Sequence, residues 1–91
     1  MIVFSAVDYN ANAEIIGQAA QRGIKIVVID SDVNSSMVSC RIGTNNLQAG
    51  VKAAEAALAV GEDELYIGIV NYDVNSANGQ QRELGFRQTV E

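Results

Sequence analysis

Apolar residues fall into short unbroken runs separated by segments of helical spacing, and the two patterns alternate along the chain. Residues 2–5 begin Ile-Val-Phe and predict a strand. Asn10 or Asn12 is placed to cap a helix reaching about Arg22. Its apolar face would carry Ile15, Ile16, Ala19 and Ala20, and Gly23 would close it. Residues 24–29 form the next continuous run and predict a buried strand, followed by a polar loop over 31–37. A shorter strand over 38–43 is interrupted by Ser39, Cys40 and Arg41, which suits the edge of a sheet. Asn45 or Asn46 then caps an alanine-rich helix over 47–59, with Leu47, Val51, Ala54 and Leu58 at helical spacing and Gly61 ending it. Gly50 and the alanines permit that helix to pack closely on a sheet. Residues 65–70 predict a further buried strand, 71–78 a loop rich in Asn, Asp and Ser, and 80–91 a last helix.

Continuous apolar runs in place of strict alternation, with helices between them, predict an α/β fold: a parallel sheet with flanking helices. Its crossovers should be right-handed. The run from Ile24 to Asp32 then has a specific meaning. It delivers Asp30 and Asp32 to the C-terminal end of a parallel strand, the edge at which open α/β sheets hold ligands. No proline, low-complexity tract or repeat marks a linker.

Composition narrows the chemistry. With 91 residues and 48% hydrophobic content, the chain is one small domain or part of a larger one, and no apolar stretch is long enough to span a bilayer. A net charge of −5 argues against nucleic acid, whose phosphates call for clustered Lys and Arg. Cys40 has no second cysteine to pair with and reads as a free buried thiol. The absence of histidine removes Ser-His-Asp, Cys-His and His-metal constellations from within the chain, and no cofactor is expected. Met1 leads directly into the first apolar run with no export signal, and the chain stops in the middle of a helical pattern. Both ends are those expected of an internal piece of a longer protein.

The order IVFSAVD, GIKIVVIDSDV, IGTNNLQAG, LYIGIV and NSANGQQRELGF closely resembles the middle of the sugar-binding periplasmic-type proteins of ABC transporters, over nearly all of the chain. The most specific parts are the IDSD strand end, the TNNLQAG helix opening and the QRELGF helix opening. The resemblance implies the type I periplasmic binding fold, two Rossmann-like lobes that enclose a small ligand. Residues 1–42 would be the second half of the N-terminal lobe, 43–46 one hinge crossing, and 47–91 the beginning of the C-terminal lobe. It also implies a membrane permease as partner and an extracytoplasmic location for the parent protein. The isolated chain would leave strand edges and apolar faces uncovered and is expected to self-associate or repack.

By this resemblance the ligand-contacting positions are Ser5, Asp30, Ser31 and Gln80. Sugar chemistry agrees: a carboxylate can accept two hydrogen bonds from vicinal hydroxyls, and hydroxyl and amide side chains can both donate and accept. Family members often carry Arg at the positions of Ser31 and Gln80, so this chain lacks two fork-shaped donors. A neutral pentose, hexose or polyol fits the remaining groups. Arg82 matches a structural arginine. Asp32 reads as a solvated loop residue, Asn45 and Asn46 as caps, and Tyr72 as a surface tyrosine.

Two competing classes remain. Lactose-repressor-type regulators share the two-lobed fold, but usually have a Gly-His-Arg-Arg-Ile-like run where this chain has Gly61-Glu62-Asp63-Glu64-Leu65. The Asp30-Ser31-Asp32 pattern also resembles the Asp-x-Asp of metal-dependent glycosyltransferases, where paired carboxylates grip a divalent ion. No phosphate cradle or catalytic base accompanies it, so a binding module without an enzymatic activity is the preferred reading.

Overall fold

The computed structural model describes residues 1–61 and 63–91. Glu62, part of the run that separates the transporter reading from the regulator reading, lies outside the described residues. The elements in chain order are β1 (Ile2–Phe4), α1 (Ala13–Gln21), β2 (Ile26–Ile29), β3 (Cys40–Ile42), α2 (Asn46–Leu58) and α3 (Ala77–Val90). They fall into two compact units: Met1–Thr44 with Asn75–Ala77, and Asn45–Val74 with Asn78–Glu91.

The first unit is an α/β layer on a parallel sheet of order β1-β2-β3. Ile2 pairs with Ile26 and Phe4 with Val28, while Val27 pairs with Cys40 and Ile29 with Ile42. β2 is central and supplies the best-buried strand residues, Ile26 and Val28. These pack with Ala6, Ile16 and Val33 into one apolar cluster, flanked by Phe4, Ala13, Ala19, Ala20 and Val38. Of the expected apolar face of α1, Ile16, Ala19 and Ala20 turn inward. Ile15 does not, at 61% exposed: Ala13, Ala19 and Ala20 lie three or four positions from Ile16 and share its face, while Ile15 is turned about 100° away from it.

α1 ends as its glycine predicts. Gly23 adopts φ +84°, its N–H donates to the Ala20 carbonyl (3.0 Å), and the Ile24 N–H donates to the Ala19 carbonyl (3.2 Å). Those two bonds close a Schellman turn and aim the chain into β2.

Cys40 corrects the expectation of a buried thiol. It is exposed, because β3 is an edge strand whose residues are all exposed.

The second unit is built on the crossing of α2 and α3. Asn45 caps α2, its side chain accepting from the Gln48 N–H at 3.1 Å. The packing partner of Gly50 is α3, where a sheet was expected. A Cβ at position 50 would collide with the Arg82 carbonyl, and one at position 85 with the Leu47 carbonyl. The two helices therefore touch backbone to backbone through reciprocal glycines. α3 begins at Ala77, three residues before the expected start at Gln80.

Residues 65–70 do not form the expected buried strand. Tyr66 is 92% and Val70 100% exposed. A strand is held by ladder bonds to a neighbour, and among the described residues none pairs with this segment. Together with α2 and α3 it borders an open cavity of about 460 Å³ whose lining includes Ala53, Ile67, Ile69 and Phe86.

Candidate ligand site

Parallel pairing puts the C-terminal ends of all three strands on one edge of the sheet, and the residues that follow each strand meet there. Ser5 follows β1, Asp30 and Ser31 follow β2, and Gly43 follows β3. Three of the four residues singled out from the sequence are thus brought together in the first unit.

Backbone bonds lace these tips. The Ala6 N–H donates to the Ser31 carbonyl at 3.0 Å, and the Ser31 N–H donates to Ser5 Oγ at 3.4 Å. On the other side, the Asp30 N–H donates to the Ile42 carbonyl at 2.9 Å. Asp30 itself sits in the left-handed region at φ 59°, and no other residue except glycine has a positive φ among the described residues. Aspartate tolerates that conformation better than most side chains, since its short polar group can bond locally. The bend ends β2 at the exposed rim and starts the loop.

Asp32 is a loop residue open to solvent, as expected, but its carboxylate is also engaged. Its Oδ1 accepts from the Val33 N–H (2.8 Å) and pairs with Arg41 Nε (2.7 Å). Arg41 Nη2 also donates to the Val33 carbonyl (3.3 Å) and to the Ser35 carbonyl. The sequence signal was present, an acid after one strand and a base within its neighbour, but it depends on knowing that β2 and β3 are adjacent. The same pairing argues against an Asp-x-Asp cation grip, because the charge of the Asp32 carboxylate is already matched by the Arg41 guanidinium.

In the second unit, Gln80 lies exposed in the first turns of α3, and its Nε2 donates to the Val74 carbonyl at 2.7 Å. That leaves Oε1 as the group with which it could accept from a ligand. Asn46 does not cap. It is buried, its Nδ2 donating to Asn78 Oδ1 (2.9 Å) and its Oδ1 accepting from Arg82 Nε (2.8 Å). Asn71 Nδ2 donates to the Gly79 carbonyl and to Glu83, each at 3.2 Å. These bonds fix the start of α3 and give Arg82 the structural role expected of it. Tyr72 is 79% exposed. Among the described residues, no group of three or more His, Cys, Asp or Glu side chains is arranged to hold a metal ion.

Comparisons with known proteins give this geometry a context. Residues 1–91 match the family described as the periplasmic binding protein domain. Among solved structures, a periplasmic component of an ABC-type sugar transport system from Hahella chejuensis is 28% identical, covering 96% of this chain and 32% of its own, with a TM-score of 0.88. A carbohydrate transporter solute-binding protein from Agrobacterium radiobacter, in complex with D-arabinose, is 29% identical over 98% of this chain and 32% of its own, also at 0.88. A sugar-binding protein of a sugar ABC transporter from Bacillus halodurans is 32% identical over 98% and 30%, at 0.76. The chain spans about a third of the length of these structures. No curated protein matches the sequence.

Proposed function

The chain belongs to the periplasmic binding protein domain family, and from that membership we propose that it is part of a solute-binding protein that captures a small sugar or polyol between two lobes. The captured solute is handed to a membrane permease or read by a sensor, outside the cytoplasm. In this reading residues 1–42 complete the N-terminal lobe, 43–46 are a hinge crossing, and 47–91 begin the C-terminal lobe.

The observation that carries the proposal is the tip of β2. A carboxylate on a left-handed residue stands at the exposed C-terminal rim of a parallel sheet, next to a serine hydroxyl that already accepts a backbone bond. Such a carboxylate accepts two hydrogen bonds from neighbouring sugar hydroxyls, and charge assistance makes each stronger than a neutral bond. Ser5 and Ser31 add hydroxyls on the same rim, and the family resemblance makes the Gln80 amide the fourth contact. The solute-binding relative in complex with D-arabinose supports a neutral pentose as the first ligand to try. The module does no chemistry of its own. Closure follows from differential affinity: a ligand bonded to Asp30 and Gln80 together favours the state that satisfies both.

The test is calorimetry on the full-length protein with D-arabinose, D-ribose, D-fructose and xylitol. At least one should bind, and Asp30→Ala should weaken that binding by about 2–5 kcal/mol, the range for truncating one partner of a buried charged hydrogen bond. Asp30→Asn, which keeps the shape and one acceptor, should fall between. Binding of none of the four, or an Asp30→Ala protein with wild-type affinity, would overturn the assignment.

A further inference from the structure

The loop that follows Asp30 and Ser31 is gathered by one side chain. From the edge strand β3, where its backbone is level with Val28 of β2, Arg41 sends Nε to Asp32 Oδ1 (2.7 Å) and Nη2 to the carbonyls of Val33 and Ser35. A single guanidinium thus collects three acceptors from a four-residue span with donors fixed on separate nitrogens of a planar fork, whereas the three donors of a lysine share one nitrogen. Inside the span, Val33 is fully buried in the core and its N–H is bonded to the same Asp32 oxygen. On the strand side, the residue next to Arg41, Ile42, accepts the Asp30 N–H. Asp30 and Ser31 are therefore held from β3 on one side by a backbone bond and on the other by the Arg41 fork.

We infer that Arg41 is a positioning residue for ligand capture, an inference that rests on the Asp30 site proposed above. Its guanidinium is turned onto the loop and orders the left-handed turn before any ligand arrives. The Arg41 and Asp32 side chains are 43% and 41% exposed. An ion pair so open to solvent contributes little to global stability, so the effect of breaking it falls on local order. A binding group held loosely on a short turn loses affinity without the protein losing its fold.

The experiment uses the full-length protein and the best-binding sugar of the panel above. Arg41→Met should weaken binding by about tenfold and Asp32→Asn by less, since the Val33 and Ser35 carbonyls still hold Arg41, and the double variant should be no worse than Arg41→Met, because the Asp32 contact is part of the clamp that Arg41 makes. Arg41→Lys, which keeps the charge but brings its three donors to a single nitrogen, should recover part of the loss. Melting temperatures should stay within about 3 °C of wild type. As a control, Gly23→Ala, which strains the turn that precedes β2 at the end of the strand opposite to the loop, should leave affinity unchanged. Without sugar, hydrogen exchange at the Ser31 and Val33 amides should quicken by about tenfold in Arg41→Met. The positioning role falls alone if Asp30→Ala loses binding while Arg41→Met keeps wild-type affinity and exchange. It also falls if the Arg41 and Asp32 losses add, the pattern of Arg41 touching the sugar directly. Wild-type affinity in Asp30→Ala removes the site, and the positioning role with it.

Discussion

Single atoms decide several features of this chain. Neither Gly50 nor Gly85 has room for a methyl group against the facing helix backbone. Gly50→Ala and Gly85→Ala should each destabilise the full-length protein by about 1–3 kcal/mol or more, despite the better helix propensity of alanine. Denaturant titration measures this, and a neutral result at both positions would mean that the helices do not cross at these glycines. Ser76 presents the opposite case: it is fully buried and its Oγ has no hydrogen-bond partner. An unmade buried bond costs roughly 1–3 kcal/mol, so Ser76→Ala should leave stability unchanged or raise it by the same titration. Of these residue-level facts the sequence shows little. A glycine inside a helix announces close packing but not on what, and a serine ahead of a helix looks like a cap until its burial is known. The place of Asp30 just after β2 was legible because the apolar run stops there. Arg41 was not, because its meaning depends on strand adjacency.

Elements were read well where their stop and start signals are local. The Asn45 cap and the Gly23 terminator act over a few residues, and both are found as the sequence implies. Asn45→Ala should cost about 1 kcal/mol through the lost cap, and Gly23→Ala about as much through its left-handed backbone. Both follow from the midpoint of thermal unfolding, and Gln48→Ala, which keeps the capped N–H, should reproduce neither. Elements were misread where they depend on a distant partner. Residues 65–70 have the composition of a core strand, yet composition cannot supply the neighbour that would pair with it, and the segment lies exposed. The early start of α3 has a similar origin. Asn46, through Asn78 and Arg82, ties its first turns to a residue far away in sequence, and Asn71, through Gly79 and Glu83, ties them to the loop before it.

For the molecule as a whole, the alternation of runs and helices was sufficient to read a parallel α/β fold, and the order of motifs was sufficient to read its family. What the alternation left open was the division into units, since this depends on which residues pack together over long separations. The unpaired segment at 65–70 and the apolar cavity beside it leave Ile67, Ile69 and Val70 exposed. The isolated 91-residue chain should therefore associate with itself. Light scattering after size exclusion, run over a range of concentrations, would show this as a mass that rises with concentration; a constant monomer mass would contradict it.

The first unit does not consist of one continuous stretch: Asn75–Ala77 belongs with residues 1–44, and the Tyr9 N–H donates to the Asn75 carbonyl at 2.8 Å. A gene divided after codon 44 would consequently encode a half that lacks three of its own residues, and would leave Tyr9 without its acceptor. Anyone dissecting this protein for separate expression, or choosing a place to splice in a fluorescent reporter, should treat the polypeptide as a thread that passes back through its first half before it ends.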